Sequence, residues 1–150
     1  MRHYPATAYR VTAPVLNREE VIHGSLRERV FALEAEMLKE PQVHIEPVHR
    51  FAQGLYSREV TLPAGSLSTG HIHAQEHISV ISKGRCKIVT EDGTQEIAAP
   101  FTMIVPPGRK NCVYAIEDTV WTTFHATPAR TVEEAEATLI VAPEAVKWLS

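Results

Sequence analysis

Gly65-Ser66-Leu67-Ser68-Thr69-Gly70-His71-Ile72-His73-Ala74-Gln75-Glu76-His77, followed by Gly84, is the stretch on which the reading of the chain turns. His71 and His73 are separated by a single residue. In a strand this puts both imidazoles on one face, with Cα atoms about 6.6 Å apart. Side chains of that length can close the gap onto one metal ion, at about 2.0–2.2 Å per bond. Ile72 points the other way. His77 has the parity of His73, but in one straight strand His71 and His77 would stand about 20 Å apart. A third ligand from this stretch therefore requires the chain to turn back near Ala74-Gln75. Either Glu76 or His77 then points inward.

Outward from this stretch, between residues 43 and 126, short β-rich runs alternate with Pro, Gly, Asn and Asp. The pattern predicts strands at 43–50, 55–62, 66–73, 77–82, 85–91, 94–98, 101–105, 111–117 and 119–126. Turn signals separate them at Gln53-Gly54, Pro63-Ala64-Gly65, Lys83-Gly84, Asp92-Gly93, Pro106-Pro107-Gly108 and Glu117-Asp118. Asp92-Gly93 between two such runs is the strongest hairpin signal. Many short strands at this spacing make a sandwich or a barrel. Before them, Ile22, Leu26, Val30, Leu33 and Met37 share one helix face, with Asn17 as cap, Glu19 and Glu20 in the first turn and Pro41 as terminator. After Pro128, residues 131–141 again read as helix, with Thr131 as cap; Pro143 stops it and an apolar tail carrying Trp148 follows. The chain thus divides into an extended N-terminal arm (1–17), a helix (18–40), an all-β barrel (41–127) and a C-terminal helical tail (128–150).

The length of 150 residues, with 44% hydrophobic and 22% charged residues, fits one globular domain and excludes disorder of the whole chain. The net charge of −3 supplies no basic field for nucleic acid. No segment has the roughly 18 apolar residues that a bilayer span needs, and Met1 to Pro5 does not open a secretory signal. Cys86 and Cys112 make no disulfide framework and read as buried free thiols, which suits a reducing cytoplasm. The departure from ordinary composition is the eight histidines.

The quoted stretch resembles the first sequence motif of the cupins, G(X)5HXH(X)3–4E(X)6G. Gly65, His71-Ile72-His73 and Gly84 fall at its positions, while His77 stands at its Glu position and Glu76 one place early. The second motif, G(X)5PXG(X)2H(X)3N, is met only by Pro106-Pro107-Gly108; Pro100 replaces its leading glycine, Asn111 its histidine and Ala115 its final Asn. The resemblance spans about residues 55–126. It implies a jelly-roll barrel holding one divalent transition metal (Fe, Mn, Ni or Zn) on His71 and His73, with His77 or Glu76 as third ligand. Asn111 or His125, near the end of the last strand, would replace the missing fourth. The chain as a whole also looks like small stand-alone cupins of tailed-phage genomes, which would place it in the host cytoplasm or the virion.

Two functions are compatible with these residues. One is a mononuclear metal enzyme of oxygenase or isomerase type on a small polar substrate, with Tyr56, Asn111 and His125 as substrate contacts and a tyrosine donor beside a histidine base. The other is a non-catalytic barrel that acts as a virion component, alongside other phage proteins, or binds a host molecule. Either would be a homo-oligomer, a dimer or larger, with the apolar stripe of the first helix available for assembly. Tyr114, Trp121 and Phe124 are expected in the core or at the rim. Arg85, Lys87, Arg109 and Lys110 are expected in solvent, as are His3, His23, His44 and His49.

Overall fold

The computed structural model describes residues 7–10, 24–90, 93–142 and 145. Among them the elements run β1 (Thr7–Arg10), α1 (Leu26–Met37), β2 (Val48–Ala52), β3 (Leu55–Leu62), β4 (Ser66–Thr69), β5 (His77–Lys83), β6 (Arg85–Thr90), β7 (Gly93–Ala98), β8 (Phe101–Val105), β9 (Cys112–Ala115), β10 (Thr119–Ala126) and α2 (Val132–Leu139). The strands form two antiparallel sheets, ordered β1-β4-β9-β6-β7 and β2-β3-β10-β5-β8. The predicted all-β class and the jelly-roll architecture are both present.

Alternation along each strand builds the core. Val60, Leu62, Ile81 and Trp121 from the second sheet meet Cys86, Ile88, Ile97, Val113 and Ala115 from the first. Their removal from water is the main term holding the sheets together. Both cysteines are buried and free, and burial pushes each thiol up to about 11. At Gly84, between β5 and β6, φ is +90° and a Cβ would lie 2.2 Å from the Asp118 carbonyl oxygen. Only glycine fits that backbone and that close approach.

The first helix differs from its predicted extent. Ser25 accepts from the Glu28 backbone N–H, and the Glu28 carboxylate accepts from the Ser25 backbone N–H. This capping box starts the helix at Leu26 rather than near residue 18. The predicted cap at Asn17, and Glu19, Glu20 and Ile22, lie outside the described residues. So do Asp92 of the β6–β7 hairpin, Pro143 and Trp148. The part of the predicted arm that is described, β1, pairs with β4 at the edge of the first sheet.

Leu26, Val30, Leu33 and Met37 of α1 pack on Cys112, Leu67 and Val89, so the helix covers the outer face of the first sheet. Lys110, expected in solvent, is instead buried here. Its Nζ lies 2.6 Å from Glu34 Oε2, donates to the Gly70 carbonyl at 2.7 Å and sits over the Phe31 ring. A desolvated ammonium is tolerable because its charge is paired and its remaining protons have acceptors. Ala135 and Leu139 of α2 pack on Tyr56 and Ala129.

Candidate metal centre and ligand cavity

The second sheet presents its inward side chains in layers. Val60 on β3 is opposite Trp121 on β10, which faces Ile81 on β5. One step towards the mouth, Arg58 is opposite Thr123, which faces Ser79. A further step brings Tyr56 opposite His125, with His77 on the neighbouring strand β5. An apolar floor, a layer with one guanidinium and a layer of imidazoles thus follow from the two-residue period of three strands, spaced about 6.6 Å apart.

The remaining histidine arrives differently. A strand was expected to run through residue 73, but β4 ends at Thr69. The chain then follows an irregular path whose backbone groups are satisfied by distant segments. Gly70 N–H donates to the Asn111 carbonyl at 3.1 Å, and Gly108 N–H to the His73 carbonyl at 2.9 Å. His73 forms an isolated antiparallel bridge with Ile140. Ala74 N–H donates to the Leu139 carbonyl at 2.8 Å, and Val141 N–H to the Ile72 carbonyl at 2.9 Å. The segment that follows α2 therefore zips onto residues 72–74, buries Ile72 and turns His73 into the barrel.

The result is a triad of imidazoles. Ring centres are 4.5 Å apart for His73 and His77, 4.6 Å for His77 and His125, and 4.8 Å for His73 and His125. Desolvation, followed by the charges of His77, His125 and His71, lowers His73 far below the ordinary histidine value. Desolvation, then His77 and Arg58, lowers His125 to about 4. Desolvation also lowers His77, with the Gln75 backbone offsetting part of the effect. All three rings are neutral at pH 7, the state in which imidazole binds metals. Nδ1 of His77 and Nδ1 of His125 are buried with no hydrogen-bond partner. The other ring nitrogen of His125, Nε2, lies 2.9 Å from Thr123 Oγ1. Among the described residues, no group of three or more His, Cys, Asp or Glu side chains is arranged to hold a metal ion. What the fold brings together is three imidazoles with ring centres 4.5–4.8 Å apart.

The triad opens on a cavity of about 640 Å³, a size that suits a small organic ligand. Its lining includes Val60, Leu62 and Trp121 as floor, Arg58, Tyr56 and His49 on one wall, and Glu136 and Leu139 from α2. Tyr56 Oη lies 2.6 Å from His49 Nδ1, and its ring stacks between Phe51 and His125. Desolvation pushes Tyr56 up to about 12, so it stays protonated.

Of the residues singled out from sequence, His71, His73, His77, His125, Tyr56 and Asn111 all line this cavity. Glu76 does not: its side chain is exposed, while His77 is buried. The chain turns so that the parity of His73 and His77 faces inward and Glu76 faces water. His49, expected on the surface, is half-buried in the cavity wall. Arg58 was missed altogether. Its signal was available, since it is two residues from Tyr56 on the same strand face.

No protein-family profile and no curated protein sequence matches the chain. Among solved structures, KdgF from Halomonas sp. superposes with a TM-score of 0.50 at 14% identity, covering 61% of this chain and 86% of that one. A cupin-2 domain protein from Shewanella frigidimarina gives 0.46 at 14% identity, over 74% of this chain and 100% of that one. A cupin domain protein from Bordetella pertussis gives 0.46 at 16% identity, over 59% and 98%. At such identities the likeness is one of fold. The protein is a cupin-type jelly-roll barrel, with its candidate site inside the barrel and a C-terminal helix across the mouth. The resemblance to phage proteins rests on the sequence alone.

Proposed function

We propose that this protein is a mononuclear metal-dependent enzyme acting on a small polar molecule in the barrel cavity, with His73, His77 and His125 holding one divalent transition metal. The observation that carries the reading is the convergence of three neutral imidazoles, two from the stretch 73–77 and one from the distant strand β10, two of them with buried nitrogens lacking any partner. An unsatisfied buried polar atom costs about 1–3 kcal/mol, and a bond to a metal is one way to satisfy it. The spacing fits as well. Two imidazoles on one ion, with bonds of about 2.1 Å, have ring centres about 4.5–5.5 Å apart. Fe, Mn, Ni and Zn all accept imidazole.

When bound, such an ion supplies Lewis-acid or redox chemistry, which corresponds to isomerisation or oxygenation of the substrate. The chain's own groups do the rest. The floor of Val60, Leu62 and Trp121, with α2 across the mouth, keeps water from the reacting atoms. The Tyr56 hydroxyl stays protonated beside His49 and offers a hydrogen-bond donor, with a proton to give, next to the imidazole layer. The Asn111 amide contacts a polar substrate group from the opposite sheet.

The test is elemental analysis of the wild-type protein beside His73→Ala/His77→Ala. About one transition-metal ion per chain in the wild type, lost in the double variant, is the expected result. Absence of metal from the wild type after incubation with Fe(II), Mn(II), Ni(II) and Zn(II) in turn would reject the metalloenzyme and leave a binding barrel.

A further inference from the structure

We infer that Arg58 is an anion-holding residue of this cavity and that the ligand it holds is a small organic carboxylate. The inference rests on the cavity being the ligand site, as proposed above, but not on its holding a metal.

Arg58 lies on β3 one layer below the imidazoles, facing inward between His49 on β2 and Thr123 on β10. A guanidinium is always charged in proteins, so its removal from water has to be offset by a counter-charge or by hydrogen-bond acceptors. The buried cation Lys110 shows the usual solution, with Glu34 and the Gly70 carbonyl in contact. Arg58 has no such partners: no hydrogen bond or ion pair joins its guanidinium to a described residue. Burial accordingly lowers its affinity for its own proton, and the charges that act on it are those of Tyr56 and Glu136. Glu136, on α2 across the cavity, stays beyond the 4 Å of an ion pair. The barrel therefore holds a planar, forked donor lining a cavity of about 640 Å³, with its N–H groups open to a ligand.

The class of anion follows from the count of charges. Arg58 is the one arginine or lysine among the described residues that line the cavity. One guanidinium matches one carboxylate through two parallel N–H···O bonds, whereas a phosphate dianion calls for further cations. The apolar floor of Val60, Leu62 and Trp121 beside Arg58 suits a short hydrocarbon body. The imidazole layer, about 6.6 Å further along the strands, suits a second polar end.

The experiment is calorimetric titration of the metal-free protein at about pH 8, where free histidine is neutral, with butyrate, succinate, the neutral analogue butyramide and inorganic phosphate. Butyrate and succinate should bind, butyramide should not, and phosphate should bind more weakly than either carboxylate. Arg58→Gln should weaken carboxylate binding by about ten-fold or more, Arg58→Lys should restore part of it, and Glu136→Gln should tighten it by removing the opposing carboxylate. Glu136→Gln leaves the barrel wall intact and keeps the test open should Arg58→Gln fail to fold. No carboxylate binding, equal binding by wild type and a folded Arg58→Gln, or a preference for phosphate would overturn the assignment. Elemental analysis of Arg58→Gln should show the wild-type metal content. A failure of the metal proposal thus appears in that measurement, and a failure of the carboxylate proposal in the titration.

Discussion

The strands β3, β10 and β5 and the irregular segment from Gly70 to Glu76 deliver side chains to the same cluster by different physical means. In the strands, direction is a local property. Tyr56, Arg58, Val60 and Leu62 share one face because every second residue does, and the same holds for Trp121, Thr123 and His125. Ladder hydrogen bonds with both neighbours hold the register. In the irregular segment no ladder exists, and the direction of His73 depends on Gly108, Leu139, Ile140 and Val141 from two other parts of the chain. The wall is therefore robust and lines most of the cavity. The segment is conditional and supplies one imidazole of the triad.

Mutations separate the two. Trp121→Ala removes the largest side chain of the floor, which is 6% exposed and packs on both sheets. It should cost about 3–5 kcal/mol in urea unfolding. A loss under 1 kcal/mol would mean that the floor is not the structural base of the barrel. Val141→Pro deletes the donor to the Ile72 carbonyl. It should cost only about 1–2 kcal/mol globally, yet weaken metal retention by about ten-fold, because the shell that orients His73 is lost. Competition against a chelator measures the second effect. Equal loss of stability and metal affinity in the two variants would erase the distinction between wall and segment.

Acid acts on the cluster that both regions build. Folded His73, His77 and His125 have values lowered from the ordinary 6.5, His125 to about 4. Below pH 6.5 the unfolded chain binds protons that the folded chain does not, so stability falls as pH drops. The metal-free protein should show its full stability above pH 6.5 and a declining urea midpoint between about pH 6.5 and 4. Replacing His125 by Asn should flatten part of that slope, and an unchanged slope would place His125 outside the buried cluster. The smallest effect belongs to Glu76→Gln. With that side chain in water, stability should change by less than about 0.5 kcal/mol and metal content should stay the same. Loss of metal would return Glu76 to the ligand set.

Much of this was legible in the chain itself. Seven of the predicted strands, 55–62, 77–82, 85–91, 94–98, 101–105, 111–117 and 119–126, coincide with observed ones to within three residues at either end. His73, His77, His125, Tyr56 and Asn111 were all named from sequence and all line one cavity. The errors share a cause. The helix start was placed by apolar periodicity, whereas the reciprocal Ser25–Glu28 hydrogen bonds decide it. The sequence reading expects Lys110 in solvent, where lysines ordinarily lie. Its burial depends on Glu34, a residue 76 positions away. His49 had no spacing partner in sequence, since its partner Tyr56 lies on the adjoining strand of a hairpin.

By itself, then, the sequence determined the barrel, its turns and the inward parity of each strand, because a two-residue period and turn chemistry are properties of neighbouring residues. It also placed a dense set of imidazoles at one end of that barrel. Only the tertiary structure decided which imidazoles meet, that Glu76 faces water and that no described carboxylate comes within ion-pair distance of Arg58. Those outcomes depend on strand register across the sheet and on the C-terminal segment that closes over residues 72–74. Contacts between distant parts of a chain leave no periodic trace in it.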